Sequence, residues 1–302
     1  MNTIAYRLFK KPQEKFNVIY FPYDGFFDHY FAQLNVNLLS HTDYRVYKYN
    51  CPESSNVIPI RNHKHIRHFK PHLVVCNHRS QLSSAINYSN TYHLPIILID
   101  HNLTNGPNDY EILQSNRSLN SNFTIVSIND QISNAWKSKA AKYIIPYGIK
   151  HEPIDIKVGS AMLLGNASRD IKLAISNLEK SAQIEKFTSY KELQSYVSSV
   201  PICVLDDADK TKGSIAQLLS MSVGTILCTN NNSCGFVEHG INGFVYKNGH
   251  DLTRIIKGID EQTIENITFE GYKTTAKYPL ESFFDQWTLL LNQIVQSTFI
   301  KE

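Results

Sequence analysis

Short apolar runs alternate with amphipathic segments along the first half of the chain. Gly, Pro or polar residues bound these runs, which is typical of buried strands separated by helices. Strands are predicted at 16–21, 44–49, 73–76, 95–100, 123–128 and 143–145, and helices at 27–39, 80–89 and 130–139. Such alternation predicts an α/β fold with a parallel, doubly wound sheet.

The same pattern restarts in the second half of the chain. Strands are predicted at 160–164, 201–205 and 225–229, and helices at 169–179, 191–197, 215–222 and 251–259. Pro153 lies at the seam, so we expect the boundary within 148–157. The chain is therefore predicted to form two Rossmann-like domains that face each other across a cleft, residues 1–150 and residues 151–302.

The segment 280–299 carries its large apolar residues at helical spacing. Phe283, Trp287, Leu290 and Leu291 would lie on one face of a helix. This pattern predicts a helix with one side in a core. Its periodicity leaves open whether the helix packs on its own domain or crosses back to the first domain.

Composition narrows the class of protein. The chain has 302 residues, 42% of them hydrophobic, and a formal net charge of only +3, which does not by itself require an anionic partner. Its five cysteines form no CxxC pair and favour buried thiols in a reducing compartment. The sequence contains no apolar run long enough to span a bilayer. We therefore expect a cytoplasmic protein, and peripheral contact with the inner membrane face stays open.

The stretch 206–248 combines a loop, a short helix, a buried strand and a Gly-rich hairpin. Lys212, Gly213, Ser214 and Ile215 form a turn that begins the helix, and Gly224 ends it. A helix that begins just after a strand in an open α/β sheet presents backbone amides that can receive a phosphate. The stretch therefore predicts a phosphate-binding unit.

Several motifs resemble those of GT-B glycosyltransferases, most closely the large family-four group of nucleotide-sugar-dependent, retaining enzymes. The resemblance spans most of the chain. It rests on the glycine loop Gly25-Phe-Phe-Asp-His29, the strand end Ile97-Leu-Ile-Asp-His101, the interdomain segment Ile145-Pro-Tyr-Gly-Ile149, Leu163-Leu-Gly-Asn166 with Arg169 and Lys172, Ser220-Met-Ser-Val-Gly224, and the hairpin Glu238-His-Gly-Ile-Asn-Gly-Phe244.

This resemblance implies metal-independent transfer of a sugar from a nucleotide-diphosphate sugar, the co-substrate, with no further cofactor. Negative charge grows on the diphosphate as the glycosidic bond breaks, so cations and amides beside it stabilise the transition state. His101 would orient or deprotonate the acceptor hydroxyl. Acceptor-side candidates are Gly25, His78 and Arg79, and donor-binding candidates are Gly165, Asn166, Arg169, Lys172, Lys212, Gly213, Ser214, Ile215 and Glu238. Solvated surface cations, ordinary turns and a backbone-bonded histidine are the structural alternatives.

Two departures from the family pattern bear on the mechanism: the paired glutamates are missing, and Arg169 lies a few residues past the family's arginine position. Thr211 and Leu219 occupy the positions of the family's paired glutamates, and neither can bind a ribose hydroxyl as a carboxylate would. A catalytically inactive binding subunit of the same fold is therefore an alternative. The acids Asp206, Asp207 and Asp209 could also hold a metal ion, because a D-x-D motif after a strand does so in glycosyltransferases of the other major fold. We disfavour this interpretation because it conflicts with the pattern of two Rossmann-like domains.

The segment 61–72 concentrates four basic residues and four histidines, Arg61, Lys64, Arg67 and Lys70 with His63, His65, His68 and His72. A solvated helix face explains this cluster, but it could also bind anionic lipid headgroups or nucleic-acid phosphates. If it is functional, the acceptor is a glycan or lipid-linked saccharide at a membrane, or DNA with hydroxymethylated cytosine. A nucleotide-sugar epimerase would need a carboxylate and histidine set that the sequence does not assemble.

Overall fold

The computed structural model describes most of the chain. The described residues are 15–22, 25–41, 57–60, 63–101, 123–136, 140–151, 161–164, 167–178, 182–184, 190–206, 213–230 and 235–299.

A seven-stranded parallel sheet forms the first half. Its strands lie in the order β3-β2-β1-β4-β5-β6-β7, so that the chain builds outward from β1 in both directions. The bounds are β1 Phe16–Phe21, β2 Val36–Ser40, β3 Val57–Pro59, β4 Leu73–Cys76, β5 Ile96–Asp100, β6 Phe123–Ser127 and β7 Ala141–Ile144. The five central strands are buried on both faces, which explains their continuous apolar runs.

A five-stranded parallel sheet forms the second half, in the order β12-β11-β10-β8-β9. Its strands are β8 Ala161–Leu164, β9 Ala182–Ile184, β10 Ile202–Leu205, β11 Ile226–Thr229 and β12 Phe244–Val245. Cys203 and Cys228, in two of its central strands, are buried, as is Cys76 in the first sheet, so these three cysteines are buried free thiols as predicted. Cys51 and Cys234 lie outside the described residues.

Helices connect the strands and cover both sheets. Their bounds are α1 Gly25–Phe31, α2 His63–Phe69, α3 Leu82–Tyr92, α4 Asp130–Ala135, α5 Arg169–Ser176, α6 Tyr190–Val197, α7 Gly213–Ser222, α8 Gly249–Lys257, α9 Glu261–Thr275 and α10 Leu280–Phe299. Within the described ranges, no helix is both long enough and apolar enough to cross a bilayer. The two parallel sheets confirm the predicted doubly wound α/β class.

The helix predicted at 27–39 is wrong in its second half. Helix α1 ends at Phe31, and β2 follows in parallel register with β1, Phe16 opposite Val36. Leu38 and Leu39 then enter two different cores on opposite faces of the sheet, whereas a helix would place them on neighbouring faces. Tertiary pairing therefore overrides the helical spacing. The sequence also failed to predict β3, β9 and α9, and the strand predicted at 44–49 lies outside the described residues.

The final helix α10 packs on α1 of the first half. The rings of Phe27 and Phe31 meet Trp287 at centroid distances of 5.8 and 5.1 Å, and Phe283 lies 5.8 Å from Phe27. Aromatic pairs in such edge-to-face contacts stabilise a core beyond their buried area. The chain that enters α10 is held as well, because the Leu280 amide donates to the Ile149 carbonyl at 3.1 Å.

The close packing of α10 against Gly148 explains why the interdomain motif has a glycine at this position. A Cβ at this position would lie 2.7 Å from the Leu280 Cα and 2.7 Å from the Phe283 Cβ, which is closer than real Cβ atoms approach. The interdomain segment and the start of α10 can therefore meet only where the chain has no side chain.

Candidate functional site

The carboxyl ends of the parallel strands define one edge of each sheet, and ligands of open α/β sheets bind at such edges. The first-sheet edge is the set of residues that directly follow β1, β4 and β5. The second-sheet edge is the set that directly follow β8, β10, β11 and β12. Helix α1 follows β1 and contacts α6 of the second half.

A buried polar network closes the first-sheet edge on the side of α1. The Tyr20 hydroxyl donates to Oδ1 of Asp28, and the Asn77 side-chain amide donates to the same oxygen at 2.8 Å. The amide also reaches the Tyr20 hydroxyl at 3.3 Å. Asn77 is fully buried, and Asp28 is only 2% exposed. Buried polar groups of this kind are stable only when they bond one another.

His101 extends this network to the interdomain segment. The Asn77 amide nitrogen faces a carboxylate, so its Oδ1 is the acceptor for Nε2 of His101. Because Nε2 carries the proton, Nδ1 accepts from the Tyr147 hydroxyl, at 2.5 Å. The rings of His101 and Tyr147 also stack, with centroids 5.7 Å apart. Both ring nitrogens of His101 are therefore occupied.

The environment keeps His101 neutral. Burial, with a smaller contribution from His78, lowers the pKa of His101 from 6.5 to about 3, while the bond to Asn77 acts in the opposite direction. His101 is 2% exposed. Its role with an acceptor hydroxyl stays a prediction, and that role would require Tyr147 to release Nδ1.

Arg79 is bound within the protein. Its Nε and Nη2 both donate to Oδ2 of Asp100, at 3.1 and 2.5 Å, and its guanidinium lies 4.5 Å from the centroid of the Trp136 ring. The Trp136 indole donates to the same carboxylate oxygen at 2.6 Å. This ion pair orders the end of β5 immediately before His101, so Arg79 has a structural role here whether or not it also contacts an acceptor.

The other two acceptor-side candidates lie at the same edge. His78 is half-buried after β4, and its Nδ1 accepts from the Ser80 amide at 3.1 Å, which begins a short 3₁₀ turn over Arg79–Gln81. Gly25 is the first residue of α1, a few residues beyond the end of β1. The structure thus places His78, Arg79 and His101 at neighbouring strand ends, as their positions in the sequence predicted.

Asp206 ties three strand ends together at the second-sheet edge. It follows β10, and its Oδ2 accepts from the Ser168 amide, which precedes α5, at 2.6 Å. Its Oδ1 accepts from the side-chain amide of Asn230, which follows β11. Both carboxylate oxygens are therefore in use. Asp207 and Asp209 lie outside the described residues, and the described part of the chain holds no group of three or more metal-ligating side chains.

Carboxylates also surround the first turn of α5. Asp170 accepts from the Ser168 hydroxyl at 2.7 Å and from the Gly249 amide at 3.0 Å, and the Ser168 bond is the larger cause of its lowered pKa. Arg169 is exposed in the same turn, and Lys172 is half-buried one turn further along. The helix dipole at α5 is thus already partnered by acids.

Helix α7 differs from α5 because its first turn contains no acidic residue. Gly213, Ser214 and Ile215 form that turn, as predicted, and Gly224 follows the helix with a positive φ of 72°. Gly165, Asn166 and Lys212 lie outside the described residues. Leu219, at a position where the family has a glutamate, is fully buried in the core.

The predicted Gly-rich hairpin is instead a loop between β11 and β12, because these two strands pair in parallel, and Asn242 organises this loop. This side chain is 3% exposed, accepts from the Glu238 amide at 2.7 Å, and donates to the Phe236 carbonyl and to the Thr274 hydroxyl of α9 at 3.0 and 2.9 Å. Gly240 has a φ of 77°, a backbone conformation that favours glycine. The loop therefore holds Glu238 at the surface, with its side chain exposed.

Sequence reasoning missed Asn77, Tyr147 and Asn242, which order the two edges. Each stands inside or beside one of the predicted motifs. The charged and glycine residues of those motifs were predicted as the site, and these three uncharged polar residues were not. An Asn that follows a buried strand, or a Tyr between Pro and Gly, is a signal for such a role only once its partners are known.

Solved structures resemble the chain over nearly its whole length at low sequence identity. HepE from Anabaena, in complex with UDP and glucose, matches with a TM-score of 0.66 and 12% identity over 92% of this chain and 100% of its own. Sucrose-phosphate synthase from Thermosynechococcus elongatus matches with a TM-score of 0.67 and 11% identity over 94% and 100%. A glycosyltransferase from Rickettsia africae matches with 0.65 and 9% over 94% and 99%.

No protein-family model matches the sequence, and no curated protein matches it either. Structural similarity at these identities establishes the fold. The chain has the GT-B fold, two Rossmann-like sheets with a final helix that returns to the first. The predicted fold class is confirmed.

Proposed function

We propose that this protein is a glycosyltransferase that moves a sugar from a nucleotide-diphosphate sugar to an acceptor hydroxyl. The observation that carries the proposal is the fold match across more than nine-tenths of the chain to a protein that binds UDP and glucose. The donor would lie at the second-sheet edge and the acceptor at the first-sheet edge, and closure of the cleft would align them.

The N-terminus of α7 is the proposed site of the diphosphate. Its first turn contains no acid, whereas the first turn of α5 is already bonded by Asp206 and Asp170. A helix whose first turn carries no acidic residue favours a phosphate at its N-terminus. Charge on the departing diphosphate would be stabilised by the α7 amides and by Lys212, with Arg169 and Lys172 as further cations.

The ribose of the donor would need a contact other than the paired glutamates of family four. Leu219 is fully buried and apolar, so this helix position supplies no carboxylate. Glu238 is the proposed replacement because the loop between β11 and β12 holds it with its side chain exposed. Retention of configuration and independence of metal rest on the resemblance to family four.

A panel of UDP-, GDP-, ADP- and dTDP-sugars in a thermal-shift measurement tests donor binding. At least one should raise the melting temperature, and Lys212→Ala should abolish that rise, while Lys257→Ala on the far end of α8 should preserve it. If no nucleotide sugar stabilises the wild-type protein, the proposal is wrong.

A binding subunit without catalysis is the second candidate, favoured by the burial of Leu219 in place of a glutamate. Release of nucleoside diphosphate from the stabilising donor separates the two. Release that Lys212→Ala abolishes supports the transferase, and tight binding with no release across a broad acceptor set supports the binding subunit.

A further inference from the structure

The surface formed by α2 and α3 carries no acidic residue. Between Glu53 and Asp100 the sequence contains no Asp or Glu, although it includes four basic residues within 61–72 and several histidines. Asp100 itself is buried and bonded to Arg79. A stretch this long with a single sign of charge produces a local positive field even though the whole chain is nearly neutral.

Helix α2 crosses the sheet from its carboxyl edge to its amino edge. It follows β3, and its last turn lies beside the start of β1, where the Asn17 side chain donates to the Phe69 carbonyl at 2.6 Å. The His72 amide, just before β4, donates to the Asn17 carbonyl at 2.8 Å. Ile66 is fully buried and fixes which side of α2 faces outward.

The outward side of α2 is cationic. Lys64, Arg67 and His68 of α2 are all exposed, and so is Lys70, which directly follows the helix. Within the described ranges, none of the three Lys and Arg side chains forms an ion pair. Cations in the last turn complement the helix dipole, but Lys64 in the first turn opposes it, so helix stability does not account for the whole set.

The neighbouring helix α3 adds uncharged hydrogen-bonding groups to the same side of the sheet. Its buried residues enter the same core as Ile66. Its exposed positions are Ser83, Ser84, Asn87, Asn90 and Thr91. We call the exposed side chains of Lys64, Arg67, His68 and Lys70 together with these five the α2–α3 face.

The composition of this face favours duplex nucleic acid over a membrane. Helices that bind at a membrane surface insert large apolar side chains beside their cations, and the described exposed large apolar residues include none on α2 or α3. Single-stranded nucleic acid needs exposed aromatic rings for stacking, whereas the aromatic residues of α2 and α3, Phe69, Tyr88 and Tyr92, are half-buried against the core. Phosphate backbones are bound by Lys and Arg with Ser, Thr and Asn, which are the residue types present.

We propose that the α2–α3 face binds the phosphate backbone of duplex DNA without base recognition. This inference goes beyond sugar transfer, because it concerns a surface outside the cleft and would hold with or without a donor. Both helices begin at the carboxyl edge, so DNA on this face would lie beside the first-sheet edge. Such a location would suit a DNA-linked acceptor.

Fluorescence anisotropy with a labelled duplex of about 20 base pairs, titrated at several salt concentrations, tests the face. The variant Lys64→Gln/Arg67→Gln/Lys70→Gln removes its three permanent charges. The matched control, Lys247→Gln/Lys257→Gln/Lys277→Gln, removes three exposed charges from the second half. Equal melting temperatures for the three proteins show that both variants fold.

Wild type and control should bind the duplex at low salt with the same salt dependence, and the α2 variant should bind more weakly. Each cation removed should reduce the slope of log affinity against log salt by about 0.9, and so by about 2 to 3 in all. Equal loss in both variants, absence of binding at low salt, or binding only to phosphatidylserine vesicles in a parallel titration would overturn the proposal.

Discussion

The two sheet edges use polar side chains in opposite ways. At the first-sheet edge, Asp28, Asn77 and His101 are buried, and Asn77 hydrogen-bonds to both of the others. At the second-sheet edge, Asp206 is only half-buried, and Glu238 in the loop between β11 and β12 is exposed. We call the first edge sealed, because these side chains close it on the side of α1, and the second edge open, because its carboxylates are only partly buried or exposed.

The seal on the first edge depends on Gly148, and its substitution should have the largest effect. Gly148→Ala places a methyl group 2.7 Å from backbone and side-chain atoms of α10, so the helix must shift. We expect a loss of about 3 kcal/mol in the free energy of unfolding, measured by urea denaturation.

Gly258→Ala is the matched control, because a Cβ there meets its nearest neighbour at 3.4 Å and φ is negative. Its loss should stay below about 1 kcal/mol. Equal losses for the two variants would mean that the interdomain segment is not packed against α10 as described.

Paired asparagine variants compare the edges directly. Asn77→Ala would remove the hydrogen bonds of Asn77 to Asp28 and His101 in a buried site, and should lower the free energy of unfolding by about 2 to 3 kcal/mol. Asn230→Ala removes one bond to Asp206, a carboxylate that water can reach, and should cost under about 1 kcal/mol. Similar costs in urea denaturation would contradict the distinction between a sealed and an open edge.

The buried histidine predicts a pH dependence that belongs to the first edge. The pKa of His101 is about 3 in the folded protein and 6.5 as its ordinary value, so between these limits the unfolded chain binds one more proton. Stability from this group is complete above pH 6.5 and is lost as pH falls toward 3, by up to about 1.4 kcal/mol per pH unit.

His101→Gln should flatten this part of the stability profile, measured by urea denaturation from pH 7 to pH 4. The comparison concerns the slope, because the substitution also changes stability at pH 7. An unchanged slope would show that His101 is protonated in the folded protein or exposed to water.

The sequence predicted the sheets better than it predicted the site. Continuous apolar runs such as 73–76 identify strands buried on both faces, and the periodicity at 280–299 identified α10. The segment that contains Leu38 and Leu39 was predicted as a helix because its apolar spacing also fits one. Only the pairing of β2 with β1 decides that it is a strand.

The site was predicted as positions at strand ends, and the structure places His78, Arg79 and His101 there. Their partners could not be predicted, because Asn77 and Tyr147 are 70 residues apart and meet at His101 only through the fold. The charge of Arg79 suggested a ligand contact, yet Asp100 and Trp136 hold it.

Hydrogen exchange measured by mass spectrometry on the full chain tests most directly whether the open edge holds the donor. The nucleotide sugar that gives the largest thermal shift would be compared with protein alone. We predict slower exchange in peptides that cover 206–218, where α7 begins, and unchanged exchange in peptides that cover 16–22 and 73–81. Protection at the first-sheet edge without protection at 206–218 would contradict the account.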